Sequence, residues 1–301
     1  MRVSTAQLFE QRVSAMLTQQ AQLSRTELQL STGKRLVSPA DDPAAALRNL
    51  QLEDRKSQNA QFIQNIDRAQ GRLELEEGVL ATGVDLLQRV RDLAVSALNA
   101  TLNPADLQTI EVEVRSLLDG LVAAANTQNA SGEFLFGGYQ TANAPFADTG
   151  GGNVAYNGDQ GQQHLQVSAT RQLAVADNGA DVFLAVPVSG GGTRSIFDVV
   201  NDFSNALAAG TPQSSTLTDI DAAMDRLLSV RAEVGSRLRA VDDQRDINES
   251  FGLVLEREQS DLVDLDYTEA ISRFNRQLLA FQASEQVFAK VQNLSLFNFL
   301  S

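Results

Sequence analysis

The chain contains no cysteine and no tryptophan, three tyrosines and a single histidine, His164. Without cysteine there is no disulfide framework, no thiolate nucleophile and no zinc knuckle. One histidine cannot supply the pair, one helical turn apart, that a helical zinc-protease site needs, so His164 reads as a surface or packing residue on a strand. Prolines number 6, and most of the 20 glycines fall between Gly132 and Gly210, which leaves the flanks open to long helices. No stretch approaches the roughly 20 apolar residues that span a bilayer, which predicts no membrane partner. The opening MRVSTAQLFEQRVSAML is amphipathic rather than a basic start followed by an apolar run, so no Sec signal is visible. Positive charge is also short: 24 Lys and Arg against 38 Asp and Glu give a net charge of −14. Nucleic-acid binding rests on cations that neutralise phosphates, so no nucleic-acid partner is expected, and the acidic excess reads as a solubilising surface. Residues 1–40 run against the trend, with Arg2, Arg12, Arg25, Lys34 and Arg35 facing only Glu10 and Glu27.

What is present is organised in three parts. A chain of 301 residues, 43% hydrophobic, is long enough for more than one core. Asp42-Pro43 predicts a helix start, the aspartate accepting from free amides of a first turn in which the proline lacks a donor. Ile66, Leu73, Leu80, Leu87 and Ala94 then recur every seven residues, the seam of a long helix packed along another. Asn103-Pro104 repeats the start signal, and Leu107, Ile110, Val114, Leu117, Leu121 and Ala124 mark the expected buried face of the next helix. After Pro212, helices are permitted from about Ser215 to the end, with Ile220, Leu227, Val234, Leu238 and Val241 as the first stripe. Between the flanks, segments 133–139, 153–158, 164–169, QLAVA and DVFLAVPV are short apolar runs between turn residues and read as strands. Asn157-Gly158 and Asn178-Gly179 suit tight hairpin turns, and Pro187 places its strand at an edge. The expected fold is mainly α with a β insert: a terminal coiled coil from 1–40 and 256–301, a long-helix bundle from 41–130 and 194–255, and a small antiparallel β domain over 131–193.

Two further stripes lie at the extremities. Phe9, Met16, Leu23 and Leu30 are spaced by seven, as are Tyr267, Phe274, Phe281 and Phe288. Each is too narrow to enclose itself. Burying a large apolar side chain contributes about 1.5–3 kcal/mol, while ordering each residue costs about 1–2 kcal/mol. A lone terminal pair is therefore near balance, and both ends are expected to order as a coiled coil within an assembly. These eight residues are the expected assembly interface.

Catalytic patterns do not emerge. Gly33-Lys34 lacks the glycine five residues earlier that a phosphate loop needs, because that position is Leu28. Nothing among the acidic residues singles out a pair for glycoside hydrolysis, and no cofactor or metal site is expected. A catalytic surface protein on a helical stalk would need a polar pocket in the β insert. Asn99, Asn129 and Asn293 sit in Asn-X-Ser/Thr triplets, which arise often by chance.

The segment LSTGKRLVSPADDPAAA, from Leu30 to Ala46, resembles the N-terminal signature of the flagellin family, with Gly33, Lys34, Arg35, Asp41, Asp42 and Pro43 in a short hinge after the terminal helix. Its Asp-Asp-Pro after Ser-Pro is similar to the hook-filament junction branch of that family. So is the stretch from Asp266 to Ser301, which ends SLFNFLS and carries Leu296, Phe297 and Phe299. AEVGSRLRAVDDQ (232–244) and EFLFGGYQTANAPF (133–146) also follow the family pattern, while the insert beyond Phe146 matches more loosely. The resemblance implies a non-enzymatic structural adaptor of the bacterial flagellum, extracellular, with a helical terminal layer, a bundle and an outward β insert. It implies a ring of identical copies between a preceding hook-associated protein and flagellin, export through the flagellar type III channel without a cleaved signal peptide, and a cytoplasmic export chaperone. A flagellin-like filament subunit is the alternative. Lys34 and Arg35 read either as anchors for a neighbour's carboxylates or as solvated charges, and Asp41-Asp42 as caps of backbone amides.

Overall fold

The computed structural model describes residues 5–98, 103–187 and 191–297. In chain order these form α1 (Thr5–Thr32), α2 (Pro43–Ala97), α3 (Pro104–Ala125), β1 (Phe146–Asp148), β2 (Val154–Tyr156), β3 (His164–Gln166), β4 (Gln172–Ala174), α4 (Gly179–Phe183), β5 (Val186–Pro187), β6 (Thr193–Arg194), α5 (Ile196–Ala208), α6 (Ser215–Val263) and α7 (Tyr267–Phe297). Two compact units result, one from residues 1–58 with 251–301 and one from 59–250. Among the described residues no helix is long and apolar enough to cross a membrane.

In the unit of residues 59–250 the helix seams pack as their spacing predicts. Ile66, Leu73, Leu80, Leu87 and Ala94 are all buried, as are Ile220, Leu227, Val234 and Val241, with Leu238 packed beside them. Helix α3 starts on a reciprocal cap: Asn103 Oδ1 accepts from Asp106 N at 3.0 Å, and Asp106 Oδ2 accepts from Asn103 N at 3.1 Å. Its buried line is Leu107, Val114, Leu118, Leu121 and Ala125. Ile110, Leu117 and Ala124 are only partly covered, because the helix turns residues 118 and 125 toward the core.

The β segment differs from the sequence expectation in detail. Among the described residues three separate antiparallel pairs form, β1 with β2, β3 with β4 and β5 with β6. Segment 133–139 is not a strand. Phe134 makes one isolated bridge to Gln128, Leu135 N donates to Thr127 O at 3.0 Å, and the chain then turns through Gly137 and Gly138. Asp159 Oδ1 holds that turn by accepting from Tyr139 N and Gly161 N, both at 2.8 Å. Neither Asn-Gly dipeptide makes a tight hairpin. Asn157 N donates to Pro145 O, extending the β1–β2 ladder, and Asn178 is instead the N-cap of α4, accepting from Asp181 N at 2.9 Å. That cap draws the first half of DVFLAVPV into a helix, leaving Val186 and Pro187 to pair with Arg194 and Thr193. The β1–β2 reversal falls instead on Gly150, Gly151 and Gly152, whose φ values of 109°, 68° and 81° suit glycine alone.

Phe136, Phe146, Phe183 and Phe197 join the β segment to the helices in one continuous core. Phe183 meets Phe136 edge-on at 5.1 Å and stacks on Phe197 at 5.7 Å. Beside this core lies a buried polar knot. Glu76 on α2 is fully enclosed, with Oε1 accepting from Asp177 N at 3.2 Å and Oε2 without a hydrogen-bond partner among the described residues. Arg237 on α6 makes a two-pronged ion pair with Asp177, one prong at 3.0 Å. Arg72, one turn before Glu76, reaches Gln163 at 2.7 Å and Glu133 at 3.7 Å. Burial, reinforced by the Asp177 charge and only partly offset by Arg237, pushes the Glu76 carboxyl up to about 8.

Candidate assembly interface

In the other unit the first and last helices lie side by side. Thr26 Oγ1 donates to Gln277 Oε1 at 2.8 Å, and Ser284 Oγ donates to Gln19 Oε1 at 2.8 Å. Seven residues back along α1 is thus seven residues forward along α7, which makes the pair antiparallel. Arg273 Nη2 adds a bond of 3.4 Å to Gln29 Oε1. Counting one helical turn either way from the Thr26 and Ser284 bonds, apolar levels alternate with the polar ones: Met16 falls level with Phe288, Leu23 with Phe281 and Leu30 with Phe274.

Burial along this seam is inverted relative to a water-soluble coiled coil. The polar Thr26 and Gln29 are 3% and 8% exposed, whereas Met16, Leu23, Leu30, Phe274, Leu278, Phe281 and Phe288 are only half-buried. Tyr267, Ile271, Leu279 and Val287 on α7 and Leu17 and Leu28 on α1 are more exposed still. Met16, Val287, Phe288 and Arg12 line an open groove of about 340 Å³ along the pair. Hydrogen bonds between side chains hold the two helices, while much of the apolar area that would drive their association stays uncovered.

The hinge after α1 is tied to the entry of α7. Leu265 N donates to Gly33 O at 3.0 Å and Arg35 N to Val263 O at 2.7 Å, on either side of an antiparallel bridge between Lys34 and Asp264. Gly33 has φ +69°, a backbone conformation that favours glycine, and a Cβ built there would lie 2.8 Å from the Tyr267 hydroxyl. Gln29 Nε2 donates to Arg35 O at 2.7 Å. Arg35 Nη2 donates to Leu262 O at 2.7 Å, and its guanidinium lies 3.8 Å from Asp42. Lys34 is exposed.

The paired aspartates divide their work. Asp42 Oδ1 accepts from Ala45 N at 3.0 Å and caps α2, with Pro43 as its first residue. Asp41 Oδ2 accepts from Ser38 N and Val37 N, both at 3.0 Å, and Oδ1 meets Arg25 at 2.6 Å, pinning the hinge to α1. The Ser38 amide, helped by Val37 and Arg25 and opposed by burial, holds the Asp41 carboxyl below its ordinary range.

The expected interface residues are therefore brought onto one helix pair, apart from those whose side chains are not described. Phe9 lies on α1, Leu296 and Phe297 lie in the last turn of α7, and Phe299 falls outside the described residues. Sequence reading missed Gln19, Thr26, Gln277 and Ser284. Their signal was present, since each lies three residues from an apolar stripe position and repeats at seven.

The bacterial flagellin N-terminal helical region matches residues 3–141, and the bacterial flagellin C-terminal helical region matches 217–300. The chain is similar to flagellar hook-associated protein 3 of Escherichia coli K12, with 31% identity over 99% of each chain. It is similar also to the protein of that name in Salmonella typhimurium LT2, with 29% identity over 99% of each. Among solved structures, flagellar hook-associated protein-3 from Legionella pneumophila shares the fold at a TM-score of 0.66 and 21% identity, over 70% of this chain and 98% of that one.

Proposed function

This chain belongs to the flagellin family, and from that premise we propose that it is a structural adaptor of the bacterial flagellum, forming a ring at the hook-filament junction on which flagellin assembles. The observation that carries this reading is the half-covered seam of α1 and α7. An apolar stripe that two helices leave open is closed by further copies of the same pair, and continued closure needs head-to-tail contacts, since a two-fold contact stops at a dimer. The full-length likeness to hook-associated protein 3 supports the junction over the filament, and the SLFNFLS ending agrees.

In this reading residues 1–40 and 256–301 form the assembly core, 41–130 and 194–255 brace it as a bundle, and 131–193 is an accessory insert. One face of the ring meets the preceding hook-associated protein and the other meets flagellin. A cytoplasmic export chaperone holds the terminal stripes before export, and the protein works outside the cell with no catalytic step. Purified chain seeded onto filament ends without flagellin tests the proposal. Limited growth that then accepts flagellin is the expected outcome; long polymers of the chain alone would identify a filament subunit instead.

A further inference from the structure

We infer that the two polar layers of the α1–α7 pair, Gln19 with Ser284 and Thr26 with Gln277, reinforce along its length the register that the Lys34–Asp264 bridge sets at one end and that the apolar layers leave open. The inference goes beyond the junction reading and stands on the helix pair alone. Both apolar stripes repeat every seven residues, so a slip of one heptad, about 10.5 Å, carries apolar onto apolar. Leu23, opposite Phe281 in the structure, would meet Phe288 or Phe274. Leu30, opposite Phe274, would meet Phe281 or Tyr267. Hydrophobic burial alone distinguishes the three registers weakly, because each slip changes only which large side chains touch.

The polar layers are not degenerate. In one slip Thr26 falls opposite Ser284, but Gln19 falls opposite Val291. In the other Gln19 falls opposite Gln277, but Thr26 falls opposite Ala270. Only the observed register gives both a hydrogen-bonding partner, at 2.8 Å each. Thr26 is 3% exposed, and in a slipped pair its hydroxyl would lose Gln277 and keep only the acceptor within its own helix, Gln22 O at 3.0 Å. Gln29 adds a third check, since its partner Arg273 would be replaced by Ala280 or Asp266. A buried polar pair in an otherwise repetitive seam selects one alignment at the expense of stability.

The absence of cysteine makes the test clean. Full-length chains carrying Leu23→Cys with Phe281→Cys report the observed register; Leu23→Cys with Phe288→Cys, or with Phe274→Cys, report the two slips. Each is oxidised mildly at high dilution, and the ratio of intramolecular disulfide products is read by peptide mass spectrometry. With the polar layers intact the observed register should exceed either slip by about tenfold or more. In the background Gln19→Leu, Thr26→Val, Gln277→Leu and Ser284→Ala, the preference should fall several-fold, with the Lys34–Asp264 bridge keeping a residual bias to the observed register. Thr26→Ser, which keeps the hydroxyl, should retain the full preference. An unchanged preference in the apolar background would overturn the inference, as would equal products from all three pairs in the intact chain or no product from any.

Discussion

Glu76 shows how one side chain couples the fold to pH. Its carboxyl is enclosed by α2, α6 and the segment entering α4, and it titrates at about 8 rather than at its ordinary 4.5. A carboxyl raised on folding favours the folded state fully below pH 4.5, where it is protonated in both states. That contribution fades as pH rises toward 8, because the unfolded chain ionises and the folded one resists; above about 8 the loss is complete. At about 1.4 kcal/mol per pH unit the loss amounts to several kcal/mol. Glu76→Gln, a neutral isostere that keeps an acceptor for Asp177 N, should therefore melt several degrees above the parent at pH 8.5 and within a degree or two of it at pH 5. Thermal unfolding followed by circular dichroism at both pH values checks this, and an equal shift at both would refute it. The heptad places Glu76 on the buried side of α2, three residues after Leu73, but that Asp177 and α6 close over it is decided by the tertiary packing.

At the scale of elements, the long helices were legible because a seven-residue period needs no tertiary knowledge, and the Asn103-Pro104 and Asp42-Pro43 starts carry their caps within three residues. The β segment was legible only in part. Whether Asn178-Gly179 turns a hairpin or caps a helix depends on the next residues reaching a core of phenylalanines contributed from far along the chain. The polar layers of α1 and α7 escaped for the opposite reason: Thr and Gln at a helix surface normally face water, and only the facing helix turns them inward. The half-covered state of the seam separates stability from assembly. Phe281→Ala should cost the isolated chain only about 1–2 kcal/mol, below the 3–5 kcal/mol of a fully enclosed phenylalanine. It should nonetheless abolish ring formation, measured by seeding on hook ends. A large fall in melting temperature together with intact seeding would contradict this division.

The whole molecule distributes its apolar burial unevenly between two units. Among the described residues, the buried core of the 59–250 unit is built from residues of that unit. Removing the residues after Tyr267 should therefore leave that core melting cooperatively near its parent temperature while motility is lost and filaments are shed into the medium. Loss of the central transition as well would show that the terminal helix contributes to its stability. The terminal hydrogen bonds join residues 251 and 265 positions apart, nearly the full length of the chain. Closing so long a loop is entropically slow and yields little until the last helix has been made, so the two chain ends are the final part to zip and the first to fray. A newly made molecule whose α1 and α7 pair last would present a finished middle and two open helices to whatever binds or threads them.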